Sequence, residues 1–86
     1  MEYAVTYGKG KYMQRGGFKN LKSARKYAYD NTAKTHNSSA VFEILSPYDQ
    51  DLDGVAVYRN GEIHYKNTSD KTWVLKKDGT LGEKIK

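Results

Sequence analysis

The 86-residue sequence contains no cysteine, a single proline, two histidines and one tryptophan. Without cysteine there is no disulfide staple, no thiolate zinc site and no thiol nucleophile. Small extracellular domains commonly rely on disulfides, so this absence leads to the expectation of a reducing, cytoplasmic setting. No stretch approaches the roughly 20 apolar residues of a membrane span, and no membrane role is expected. The first segment, Met1-Glu2-Tyr3-Ala4-Val5-Thr6-Tyr7, has no basic stretch followed by an apolar run. It reads as a strand rather than a signal peptide.

Catalytic motifs are also missing. His36 and His64 have no G-x-S-x-G or H-E-x-x-H context. A carboxylate pair can be drawn from Glu43, Asp49, Asp51 and Asp53, but spacing singles out no two of them. A chain of this length buries only about 60–65% of its unfolded surface, so its core is thin and ill suited to a water-excluded pocket. The expectation is a protein that is not an enzyme and carries no cofactor.

What is present argues for folding. Hydrophobic residues make up 37% and aromatics 13%, with eight tyrosines, more than disordered chains carry. The net charge of +5 is unevenly spread. Residues 1–36 hold eight Lys/Arg against two carboxylates, a net +6; residues 37–70 hold two against six, a net −4; residues 71–86 hold five against two, a net +3. Such asymmetry suits a polyanion on one side or two differently charged partner surfaces.

Along the chain, Tyr3, Val5 and Tyr7 alternate with Ala4 and Thr6, the period of a half-buried strand. Gly8-Lys9-Gly10 breaks it, Lys11–Gln14 resumes as a second strand, and Arg15-Gly16-Gly17 ends that strand. Asn20 caps the only expected helix, with Phe18 placed as a hydrophobic staple. Leu21, Ala24, Ala28 and Thr32 form its narrow apolar stripe, and the helix is expected to fray over Thr32–His36. Ala40–Leu45, apolar on both faces apart from Glu43, reads as a central strand. Ser46–Gly54 reads as an acidic loop. Val55–Arg59, Asn60-Gly61 and Glu62–Lys66 form a type I′ hairpin in which Arg59 opposes Glu62, Tyr58 opposes Ile63 and Val57 opposes His64. A last hairpin turns at Asp78-Gly79. Residues 1–86 therefore read as one small α+β domain, with one helix on a mainly antiparallel sheet in two layers. This order and the Lys-, Asn- and Tyr-rich composition broadly resemble small proteins of low-GC bacteria and their phages. No residue role follows from that resemblance.

Three segments invite functional readings. Gly8-Lys9-Gly10-Lys11 lacks the spacing of a phosphate loop and reads as a basic turn. Asp49-Gln50-Asp51-Leu52-Asp53-Gly54 matches the first half of a calcium loop, but position twelve is Asn60 where a bidentate Glu belongs. Asp49, Asp51 and Asp53 are the ligands if calcium binds. On a helical wheel Lys22, Arg25, Lys26 and Tyr29 share one flank, which Lys19 and the loop residues Lys9, Lys11 and Arg15 extend. Cations beside aromatics suit non-specific nucleic-acid contact.

Two non-catalytic functions are thus expected. One is an adaptor or inhibitor that docks on a protein partner through a Tyr-rich sheet face or a free edge strand. A phage-borne blocker of a host enzyme or defence complex fits this description. The other is a nucleic-acid or nucleotide binding module using the basic helix flank. Self-association into a homodimer suits so small a core. The lean toward a protein partner rests on the lack of any nucleic-acid motif.

Overall fold

Seven strands and one helix account for three quarters of residues 1–7 and 13–85, the part of the chain that the computed structural model describes. They are β1 (Glu2–Tyr7), β2 (Met13–Phe18), α1 (Leu21–Thr35), β3 (Ser39–Ser46), β4 (Asp49–Arg59), β5 (Glu62–Asn67), β6 (Thr72–Leu75) and β7 (Leu81–Lys84). Every pairing is antiparallel, and the sheet order is β2-β1-β3-β4-β5-β6-β7. The expected α+β class holds, and β3 lies inside the sheet between β1 and β4.

The alanine stripe explains how α1 sits. Ala24 and Ala28 are 0% exposed and pack with Tyr3, Val5, Val41, Ala56, Ile63, Tyr65 and Leu75. Methyl side chains let the helix approach the sheet closely, so packing this tight leaves no room for a larger residue. The Asn20 side chain caps α1 by accepting from the Ser23 amide at 2.8 Å. Phe18 does not staple the first turn; its ring meets Tyr27, one turn further on, at 5.4 Å.

The helix does not fray at its C-terminal end. It runs to Thr35 and closes on His36 in the left-handed conformation (φ 60°), whose amide donates to Thr32 O at 2.8 Å. The His36 ring stacks on Tyr58 of β4 at 3.9 Å. Ser39 receives hydrogen bonds from Asn31 and Thr32. These tertiary contacts hold a turn that local propensity alone would leave weak.

Two expected loops are strands. Arg15-Gly16-Gly17 continues β2 instead of ending it. Between the pairs Tyr3↔Phe18 and Val5↔Arg15, β2 carries one residue more than β1. Gly17, at φ +88°, absorbs the extra residue as a bulge. Ser46–Gly54 is not an acidic loop either. Pro47-Tyr48 alone makes the turn, and Asp49–Gly54 pairs with β3. The end of this hairpin projects beyond the core, so its ladder bonds suffice and neither face needs an apolar residue.

Cross-strand pairs share a face, and the register therefore separates the sheet into two sides. Tyr3, Val5, Tyr7, Val41, Ala56, Tyr58, Ile63 and Tyr65 face the helix. Ala4, Thr6, Ala40, Phe42, Ile44, Val55, Val57, His64 and Val74 face away from it. Among the described residues the strand tyrosines Tyr3, Tyr7, Tyr58 and Tyr65 lie on the helix side, and the helix-free face mixes apolar residues with Thr6, His64 and Lys66. Gln14 of β2 and Gln50 of β4 still exchange hydrogen bonds across that face at 3.4 and 3.3 Å. Two strands intervene, so the sheet must coil to bring them together. The coiling accounts for the burial of Ala4 and Thr6, which no helix covers.

Candidate functional site

The basic residues divide according to what lies opposite them. Arg25 leaves the expected set. Its guanidinium reaches Asp53 Oδ2 at 3.0 Å and lies over the Tyr65 ring at 4.9 Å, leaving the side chain 19% exposed. Asp53 sits where the β3–β4 register shifts, and this irregularity brings its carboxylate to the helix. Tyr65, fully buried, donates its hydroxyl to the same Asp53 oxygen. Burial, reinforced by the Asp53 carboxylate, holds the Tyr65 phenol well above its ordinary range. Tyr29, like Tyr27, is half-buried and packs against the core.

The remaining helix cations converge on the outside. Lys22, Lys26, Asp30 and Lys34 follow at four-residue intervals and are exposed, and exposed Lys19 precedes the N-cap. Lys26 pairs with Asp30 at 3.4 Å, an exposed contact worth about 0.3–0.5 kcal/mol that leaves the ammonium available. The β6–β7 turn lies alongside. A Cβ at Gly79 (φ +93°) would collide with the Lys22 carbonyl oxygen, so only glycine lets the turn seat there. The seating places the turn against Lys22 and Lys26. Hydrogen bonds from the Thr80 hydroxyl and amide, with the nearby Lys22 charge, hold the Asp78 carboxyl below its usual range.

On the other flank of α1, Arg15 belongs to β2, not to a loop. Its guanidinium lies over Tyr27 at 5.2 Å and Phe18 at 6.0 Å. Tyr27 in turn meets Tyr7 edge-on at 6.1 Å. Two surface depressions, of about 300 and 240 Å³, adjoin Tyr27. Arg15, Lys19, Lys22 and Lys26 thus share one side of the molecule with a row of half-buried rings. Lys9 and Lys11 fall outside the described residues.

The acidic residues do not form the expected cation loop. Asp49 accepts from the Ser46 hydroxyl at 3.2 Å, Asp51 faces Glu43 across the β3–β4 ladder, and Asp53 is engaged with Arg25 and Tyr65. Among the described residues no three His, Asp or Glu side chains are grouped as metal ligands would be. Opposed like charges are unfavourable in a sheet. Here Glu43, Asp51 and Asp53 line a depression with Leu21, the first residue of α1. Arg25, paired with Asp53 at 3.0 Å, is the cation that the structure brings to them.

His36 caps the helix. His64 Nε2 lies 3.4 Å from exposed Glu62 Oε1 on the helix-free face, and its side chain, 18% exposed, lines a depression of about 400 Å³ with Arg59, Lys66 and Asp70. Among the described residues no helix is long and apolar enough to cross a membrane. No protein-family model, curated protein or solved structure matches the chain.

The wheel missed Arg25 although a signal was present. Leu21, Arg25, Ala28 and Thr32 fall at i, i+4, i+7 and i+11, which places Arg25 on the edge of the buried stripe itself.

Proposed function

We propose that the protein is a non-catalytic binding module whose outer helix surface takes a polyanion, with nucleic acid as the ligand class. One observation carries this reading: Lys22, Lys26 and Lys34 lie exposed along the outer row of α1, with exposed Lys19 before its cap and Arg15 of β2 over Tyr27, and among the described residues none of the five is drawn into an internal ion pair. Ammonium and guanidinium groups arranged along a helix match a phosphate backbone and release its counterions on binding. A surface built in this way gives sequence-independent, salt-sensitive affinity. The test is titration with nucleic acid at 50 and 200 mM salt. About five phosphate contacts imply a loss on the order of 10²-fold between those conditions. Salt-independent binding, or none at the lower salt, would remove the reading.

A second reading, an adaptor or inhibitor docked on a protein partner, is favoured by the helix-free sheet face. Phe42, Ile44, Val55, Val57 and Val74 lie there half-buried on the side away from the helix, and Leu52 is 42% exposed. Apolar side chains in such an array are a recognised mark of protein contact. Under that reading Val57→Glu releases a stoichiometric partner isolated from the native cell, whereas Lys22→Glu/Lys26→Glu does not.

A further inference from the structure

We infer that the crevice between α1 and the β1–β2 edge seats an unpaired nucleobase stacked on Tyr27, which makes the preferred polyanion a single strand; the inference rests on the polyanion reading above. Tyr27 is the ring shared by the two depressions flanking this side of the helix. One is bounded by Tyr7, Asp30 and Lys34, the other by Phe18, Ser23 and Lys26. The larger, about 300 Å³, is at the lower end of the range for small-ligand sites, a size suited to one flat heterocycle.

The Tyr27 ring is half-buried against the core and already carries a planar group, whose place a base would take. Arg15, itself exposed, lies over it at 5.2 Å, and a guanidinium stacks on aromatic faces much as a base does. Tyr7, edge-on at 6.1 Å, and Phe18, tilted by 43° at 5.4 Å, both meet Tyr27, so its ring is already held in place. Lys26 and Lys34 border one depression each. They are eight residues apart on the helix, about 12 Å along its axis, and thus flank the ring with one cation on each side for the backbone of an extended strand.

Asp30 bears on the choice of ligand. Its carboxylate lines both depressions, where it would repel a phosphate but can accept from the exocyclic amino group of a base. That carboxylate also pairs with Lys26 at 3.4 Å, and a crevice serving phosphates alone gains nothing from an acceptor that lines both depressions. In a duplex the bases remain stacked on one another, so double-stranded DNA would meet only the lysines. An acidic polypeptide offers charge without a flat donor-bearing ring.

The test compares a single-stranded oligodeoxynucleotide with an abasic oligomer of equal length and charge, and with poly-glutamate, by fluorescence anisotropy at low salt. Stacking of this kind is worth on the order of 5- to 100-fold per base. The unsubstituted protein is expected to prefer the base-bearing oligomer by at least about 10-fold. Tyr27→Leu should bring that preference to near unity while leaving abasic affinity unchanged. Tyr27→Trp should preserve the preference, and the added indole emission should be quenched on binding. Equal affinity for the base-bearing and abasic oligomers would overturn the base site and leave the polyanion reading standing. Binding to none of the three would remove both. Equal or tighter binding of poly-glutamate would point to a protein ligand and overturn the inference. If Tyr27→Leu does not fold, unchanged indole emission in Tyr27→Trp overturns it instead.

Discussion

Arg25 and Lys26 are neighbours in the chain, yet the two sides of α1 treat their charges in opposite ways. On the inner side Arg25 meets Asp53 and the Tyr65 ring and becomes part of the link between helix and sheet. On the outer side the Lys26 ammonium pairs, among the described residues, with Asp30, an exposed partner on its own helix. The same formal charge is structural where a carboxylate approaches from another element and available where none does. The comparison shows that counting cations on a helix overstates its ligand surface until the opposite layer is known.

The largest expected effect falls on the outer side. Lys22→Glu/Lys26→Glu should weaken nucleic-acid affinity on the order of 10²-fold at low salt, with stability changed by no more than about 0.5 kcal/mol. Isothermal titration and thermal melting read the two quantities separately. A comparable loss of stability would show that these lysines, too, are structural.

Next in size is the inner side. Asp53→Ala leaves a half-buried guanidinium and the Tyr65 hydroxyl without their acceptor. The expected cost is about 2 kcal/mol, below the range for fully buried pairs because Arg25 and Asp53 keep some exposure. For a chain of this size that lowers the melting temperature by roughly 10 °C. Nucleic-acid affinity should be unchanged, which would complete the contrast between the two sides.

A smaller, pH-dependent effect follows from Tyr65. Its folded-state pKa is raised above the unfolded value of 10.0, so the folded state holds the proton more tightly. Full stability is present below pH 10, and stability falls as pH rises further, by up to about 1.4 kcal/mol per unit. Tyr65→Phe should flatten this alkaline limb in melting curves between pH 9 and 11. The smallest effect is expected at the β6–β7 turn. Thr80→Val removes a hydroxyl that donates to Asp78 at an exposed site and should change stability by less than about 1 kcal/mol.

Which of these features the sequence revealed follows from how local their causes are. The β4–β5 register was legible because Asn60 (φ 50°) and Gly61 (φ 85°) fix it within two residues. Asn20 as cap and Ala24–Ala28 as inner stripe were legible for the same reason. Arg25 was not, because its fate depends on Asp53, which lies 28 residues away at an irregularity in β4. The acidic segment was misread as a loop because composition was weighed where strand pairing decides. The tyrosines reveal which strand residues share a face, but not which face the helix will cover. Lys22 and Lys26 were legible as candidates, while the seating of the Gly79 turn beside them was not.

The most direct test of the outer face as the ligand surface is to follow backbone amide shifts by NMR during titration with a single-stranded oligonucleotide. The account predicts perturbations along Lys22–Lys34 and at Arg15–Phe18, with Val55, Val57 and His64 unmoved. Shifts concentrated on β4 and β5 of the helix-free face, or none at all, would contradict it.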